Sequence, residues 1–286
     1  MGFSISELRS SLEFARRGYF DNMENVLDMG SQEIHIKKKD FVEITKSFNY
    51  KFDLKSFPNV LNDNWPNHPR ESTKSFWKIL GFKITDCSDI NNMHGSIYID
   101  LNNPLKDKNL TNKYDLVTDF GNNEHTFNAA EAYRTMHRLC KKEGLIWIHQ
   151  NLTGGNGFYN FDISFFESIA AANNYEILSS YFILPAKNDI LRLPLSMDLL
   201  YLLDLNKATD IGVSYLFKKK SSRDFVFPVQ YIGELGKDIT YRSTLMPETT
   251  HLGVSQSRAY IPNEWNPGGK KLLSLLFKKI KKKIFK

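Results

Sequence analysis

The sequence predicts an α/β fold: a doubly wound, mostly parallel seven-stranded sheet with an irregular C-terminal extension and an amphipathic tail. Three observations predict it. Short β-rich apolar runs alternate with helical patterns between about residues 24 and 218, as in a sheet covered by helices. Polar clusters stand repeatedly where an apolar run ends, the place at which such sheets present side chains to a ligand. A chain of 286 residues with 41% apolar content is also long enough to bury a full core.

Residues 1–23 read as a helical segment. Glu7, Arg9, Glu13, Arg16 and Arg17 interrupt it, so it is neither a leader nor a membrane span. Strands are predicted over 24–29, 83–87, 96–100, 114–119, 145–150, 175–183 and 212–217, and helices over 72–80, 127–142 and 164–173. In the second helix Phe127, Ala130, Tyr133, Met136, Leu139 and Cys140 recur at helical spacing and face the sheet. The stretch 35–82 is longer than an ordinary crossover and reads as an insertion beside the site. The main domain thus spans 24–218. Residues 219–269 form an irregular extension that closes on the hinge-like Asn266-Pro267-Gly268-Gly269, and 270–286 form the tail.

Charge is distributed unevenly. Eight lysines lie in the last 17 residues, more than the whole net charge of +6, so the rest of the chain is slightly acidic. A basic nucleic-acid-binding surface on the body is therefore not expected, and nucleic acid is the least favoured partner. In the tail Leu272, Leu273, Leu276, Phe277, Ile280 and Ile284 recur at steps of three and four between the lysines, the pattern of an amphipathic helix suited to an anionic membrane surface. Cys87 and Cys140 form no CxxC and no Cys/His cluster, which argues for a reducing, cytoplasmic compartment and against a structural zinc, while the tail suits a peripheral place on the membrane's inner face. No metal site is expected.

Two segments carry candidate chemistry. Val26-Leu27-Asp28-Met29-Gly30-Ser31-Gln32-Glu33 is an apolar strand running into Asp-x-Gly, where Gly30 allows a close backbone approach. Further on, Asp115 to Asp119 leads into Phe120-Gly121-Asn122-Asn123-Glu124-His125, a helix, the turn Glu143-Gly144 and the strand that ends near His149. His125 and His149 both stand at strand ends and can serve as a base, with Glu124 orienting either one; Glu124 can equally cap the helix that follows.

These residues carry a resemblance. The run from Leu27 to Glu33, the step Asp100-Leu101-Asn102, the segment from Asp115 to Asn128 and the turn from Lys142 to Leu145 resemble class I S-adenosylmethionine-dependent methyltransferases. Gly121-Asn122-Asn123-Glu124-His125-Thr126-Phe127-Asn128 and Gly157-Phe158-Tyr159-Asn160-Phe161 resemble a bacterial methyltransferase-like group within them. The resemblance implies a Rossmann-like methyltransferase fold with S-adenosylmethionine as cofactor, bound across the strand tops. Gly30 and Ser31, beyond Asp28, would approach its methionine part. Asp86 or Asp89 would accept from the ribose, Asp100 and Leu101 would border the adenine, and Asp119 and Phe120 would close the pocket from below. Tyr159 and Asn156 would meet the substrate; where the group has a histidine before Gly-Phe-Tyr-Asn-Phe, this chain has Asn156. The activity implied is O-methylation of a sugar or membrane-linked glycan precursor. Two alternatives share the fold, a catalytically silent scaffold that binds a partner or membrane and a nucleic-acid-modifying methyltransferase.

Overall fold

The structure, a computed structural model, describes residues 2–50, 55, 57, 67–186, 189–195 and 210–229. The hinge and the basic tail lie outside the described residues, as does the extension beyond residue 229.

Helix α1 (Ile5–Arg16) opens the chain, with a capping box in which Ser4 and Glu7 satisfy each other's backbone amides. Strand β1 (Asn25–Met29) follows, then α2 (Lys38–Ser47), α3 (Thr73–Ile79), β2 (Ile84–Ser88) and β3 (Tyr114–Phe120). After these come α4 (Ala129–Leu139), β4 (Cys140–Thr153), α5 (Ile163–Ala172), β5 (Tyr175–Ala186), β6 (Asp189–Pro194) and β7 (Ile211–Lys219).

The seven strands lie in the order β2-β1-β3-β4-β7-β5-β6. Strands β1 to β5 run in one direction; β7 is antiparallel to β4 and β5, and β6 is antiparallel to β5. From β1 the chain steps outward to β2, then returns across β1 to β3, so the order reverses between β1 and β3. This is the doubly wound, Rossmann-like α/β fold expected from the sequence, and its switch point lies at the carboxyl ends of those two strands.

Alternation along the strands sends side chains to two cores. Leu27, Met29, Val117, Ile146 and Ile148 pack with Tyr133 and Met136 of α4 and with Phe166 and Ile169 of α5. On the opposite face Val26, Leu116, Phe120, Leu145 and Trp147 pack with Leu8, Leu12 and Phe14 of α1 and with Phe76 and Trp77 of α3. Phe3, Phe14, Phe76 and Phe120 are wholly buried, each contributing roughly 1.5–3 kcal/mol.

Three departures from the expected elements have physical causes. The strand expected over 96–100 is only a bridge, Ser88 to Ile97, because the Asp100 carboxylate accepts Asn102 N and turns the chain away from the sheet. The seventh strand is instead β6, whose Leu191-Arg192-Leu193-Pro194 gives no clean alternation. The helix expected to reach residue 142 stops at Leu139, where Lys219 Nζ donates to the carbonyls of His137 (2.7 Å) and Cys140 (2.8 Å). A cation at a helix C-terminus satisfies carbonyls that have no intrahelical donor. Burial pushes this lysine's pKa down.

Candidate functional site

At the switch point β1 ends on Met29 and the chain turns at Gly30, whose φ of +81° strains any residue bearing a Cβ. A Cβ there would also lie 2.7 Å from Asn122 Oδ1, so this glycine lets the loops after β1 and β3 close on each other. Between the loops 30–35, 89–93 and 121–125 lies a cleft of about 370 Å³, walled in part by Pro69. Gly30, Ser31, Asp89 and His125 all line it. The loop beginning at Asp100 does not; Asp100 borders a separate cleft of about 230 Å³.

Asp89, just beyond β2, faces Ser31 across the cleft mouth. Its Oδ2 accepts from Ser31 N and Ser31 Oγ, both at 2.9 Å, and its Oδ1 from Ile90 N (2.7 Å) and Asn91 N (3.2 Å).

Other residues expected around the cofactor are placed elsewhere. Asp28 is buried on the α3 side of the sheet, where Thr73 Oγ1 (2.5 Å), Thr118 Oγ1 and Trp77 Nε1 (3.0 Å) donate to it. Burial pushes its carboxyl up, and its position makes it a node between strand and helix rather than a cleft residue. Asp86 lies in mid-strand and accepts from Tyr114 OH (2.8 Å) and Lys113 Nζ (3.2 Å). Leu101 is part of the α4–α5 core, while Phe120 belongs to the other, its ring 6.0 Å from Phe3 and 4.9 Å from Trp147. Strand alternation turns Phe120 away from the cleft floor.

Asp119 lies under the 121–125 loop, wholly buried, accepting from Asn122 N (2.9 Å), Asn123 N (3.2 Å) and Gln150 Nε2 (2.5 Å). Burial nevertheless pushes its carboxyl up to about 7. A carboxyl raised in the folded state contributes stability that is full below its ordinary 3.8 and lost as pH rises through about 7. His137, pushed by burial down to about 4, acts oppositely: its contribution is lost as pH falls below 6.5. The Asp119 effect is therefore read as a difference. In urea denaturation from about pH 5 to about pH 8, the wild type should lose stability relative to Asp119→Asn as pH rises. Parallel profiles would show that Asp119 does not titrate in this window.

Glu124 and His125 form the polar corner of the site. Glu124 is buried and accepts from Asn151 Nδ2 at 3.0 and 2.8 Å; its Oε1 lies 3.4 Å from His125 Nε2. His125 is 41% exposed, on the cleft. His149 is not brought there. It is in phase with Leu145 and Trp147 along β4 and so faces α1, where its Nδ1 meets Glu7 Oε1 at 2.5 Å in a buried pair. Tyr159 donates to Phe127 O (2.6 Å), and Asn156 is exposed on the loop above; neither lines the cleft. The loop Gly154-Gly155-Asn156-Gly157 approaches its neighbours closely at two of its glycines. A Cβ at Gly157 would lie 2.7 Å from Glu124 O, and one at Gly155 would lie 2.3 Å from Asn151 Nδ2.

Sequence reasoning did not find Asn122, Gln32, Asn91 or Asn151. Only the Asn-rich character of the segments gave a signal for them. Gln32 donates to Met29 O (2.9 Å), which leaves its Oε1 buried without a donor beside Gly30. Among the described residues no group of three or more His, Cys, Asp or Glu could hold a metal ion.

No family model matches the sequence, and no curated protein matches it. Among solved structures the chain is similar to a protein of Bacillus halodurans described as a candidate methyltransferase, at 10% identity and a TM-score of 0.38, covering 74% of this chain and 100% of that one. It is also similar to the YcgJ protein of Bacillus subtilis (11% identity, TM-score 0.38, 74% and 99% covered). A third is a SAM-dependent methyltransferase of Archaeoglobus fulgidus (14% identity, TM-score 0.36, 74% and 94% covered). At such values the likeness is slight; the fold class follows from the sheet order, and the chemistry rests on the cleft.

Proposed function

We propose that the chain is an S-adenosylmethionine-dependent methyltransferase acting on a hydroxyl of a sugar or glycan precursor. The observation that supports it most is the convergence of three strand-end loops at the switch point on one cleft, with the Gly30 backbone, the Asp89 carboxylate and the His125 imidazole all on its wall.

The residues present fit the cofactor. A cleft of about 370 Å³ lies within the range of small-molecule sites. Asp89 is a carboxylate of the kind that ribose hydroxyls seek, and Gln32 Oε1 is a buried acceptor that a ligand amine would satisfy. When bound, the cofactor supplies an electrophilic methyl group. What the chain supplies is alignment and a proton acceptor: His125 takes the proton of the acceptor hydroxyl at its imidazole, and Glu124, fixed by Asn151, orients the ring. The amphipathic tail would bring the enzyme to an anionic membrane surface where a lipid-linked acceptor resides, on the cytoplasmic side. Among the described residues no helix is long and apolar enough to cross a membrane.

One observation favours the silent scaffold as a second reading. The cleft is largely satisfied by its own side chains, with Asn122 against Gly30 and Ser31 on Asp89. Calorimetry with S-adenosylhomocysteine separates the two. An enzyme should bind it, and at a hundredfold excess over Kd should gain about 2.7 kcal/mol of stability, a rise of several degrees in Tm. No heat and an unchanged melting curve would leave the scaffold. Flotation with anionic vesicles, with and without 270–286, tests the surface role; equal flotation of both forms would remove it.

A further inference from the structure

Two acids, Glu33 and Asp89, line the cleft; Asp89, just beyond β2 and facing Ser31, has no idle lone pair. A carboxylate offers about four acceptor positions, and here all are taken: Oδ2 by Ser31 N and Ser31 Oγ, Oδ1 by Ile90 N and Asn91 N. Three of these donors are backbone amides fixed by the turns. Only the Ser31 hydroxyl is a rotor. It also has a second acceptor in place, Asn91 Oδ1 at 3.2 Å, on a side chain whose Nδ2 lies 2.8 Å from the same oxygen.

We infer that Ser31 gates the diol-accepting carboxylate of the cleft: its hydroxyl turns from Asp89 to Asn91 before a vicinal diol of a nucleoside ligand can be accepted. The inference rests on the proposed cofactor reading and adds to it a residue that sets affinity. Turning leaves the hydroxyl bonded and frees one position on Oδ2, while Oδ1 stays occupied by the two amides. The gate therefore admits one hydroxyl of the diol to Asp89, not both. In the resting cleft the carboxylate is satisfied by the chain itself, which avoids the cost of a half-buried acid without donors. A ligand must displace that bond, and its affinity is lowered accordingly.

Two variants push in opposite directions. Ser31→Ala removes the competing hydroxyl but keeps the backbone amide on Asp89, so it should bind S-adenosylhomocysteine about tenfold more tightly than wild type in titration calorimetry. Asn91→Leu removes the alternative acceptor and should bind it about tenfold more weakly. The 2′,3′-dideoxy form of the same ligand has no diol, and its Kd should be the same in wild type and Ser31→Ala. If wild type binds S-adenosylhomocysteine and Ser31→Ala binds it no more tightly, the gate is wrong and the cofactor reading stands. An equal gain for the dideoxy ligand also overturns the gate. Binding by neither protein overturns both, whereas binding by Ser31→Ala alone supports the gate in its strongest form.

Discussion

Glu7→Ala should lower the free energy of unfolding by about 3–5 kcal/mol, the range seen when one member of a buried ion pair is removed. Glu7 lies on α1 and His149 on β4, their side chains only 1% and 7% exposed. Burial alone would push the Glu7 carboxyl up; the charge and hydrogen bond of His149, with Ser4 N (2.8 Å) and Ser4 Oγ (2.5 Å), hold it below its ordinary value instead. That lowered value means the pair's contribution is present above 4.5 and is lost as pH falls through the folded pKa. Truncating Glu7 leaves His149 buried without its partner, its ring packed close against Gly212, where a Cβ would lie 2.7 Å from the ring nitrogen. Denaturation in urea at neutral pH measures the loss. Glu7→Leu combined with His149→Leu should recover most of it, because an apolar pair needs no desolvation of charge. A loss under about 1 kcal/mol for Glu7→Ala would mean the pair is wet and α1 is held by its apolar face alone.

The largest expected effect on rate is at His125. On an acceptor hydroxyl that turns over, His125→Ala should lower kcat by about 10²- to 10⁴-fold, the usual contribution of a positioned base, with the Kd for S-adenosylhomocysteine unchanged. Glu124→Gln should cost less, about tenfold, since Asn151 still locates the side chain. Steady-state kinetics beside calorimetry separates base from binding residue. Were His125→Ala to keep full kcat, the proton would leave by another route and the polar corner would be a structural cap on the 121–125 loop.

The two histidines show what the sequence carries and what it does not. His125 and His149 both follow apolar runs, and from position alone each could face a ligand. Parity decides between them: His149 is two residues beyond Trp147, which packs on α1, so the same alternation buries it. Applied to β3, parity also turns Phe120 into the core beside Leu116, and applied to β1 it sends Asp28 toward Trp77. These misplacements were thus legible in principle, because they depend only on period two. The 96–100 segment was not, because its fate turns on a hydrogen bond from Asn102 N to Asp100 rather than on apolar content. Nor were Ser31, Asn91 and Asn122 legible as a set, since contacts across 58 or more residues leave no local pattern. By contrast β1, β3, β4, β5 and β7 were visible as apolar runs, because strands covered by a core on each face of the sheet need apolar side chains on both faces.

Strand β7 is the last of the sheet to leave the ribosome, yet it sits between β4 and β5. Until residue 219 emerges, the nascent chain carries two half-sheets, β2-β1-β3-β4 and the β5–β6 hairpin, each with a bare edge of unpaired amides and carbonyls. Fragments truncated before residue 211 should therefore aggregate rather than persist as partly folded monomers.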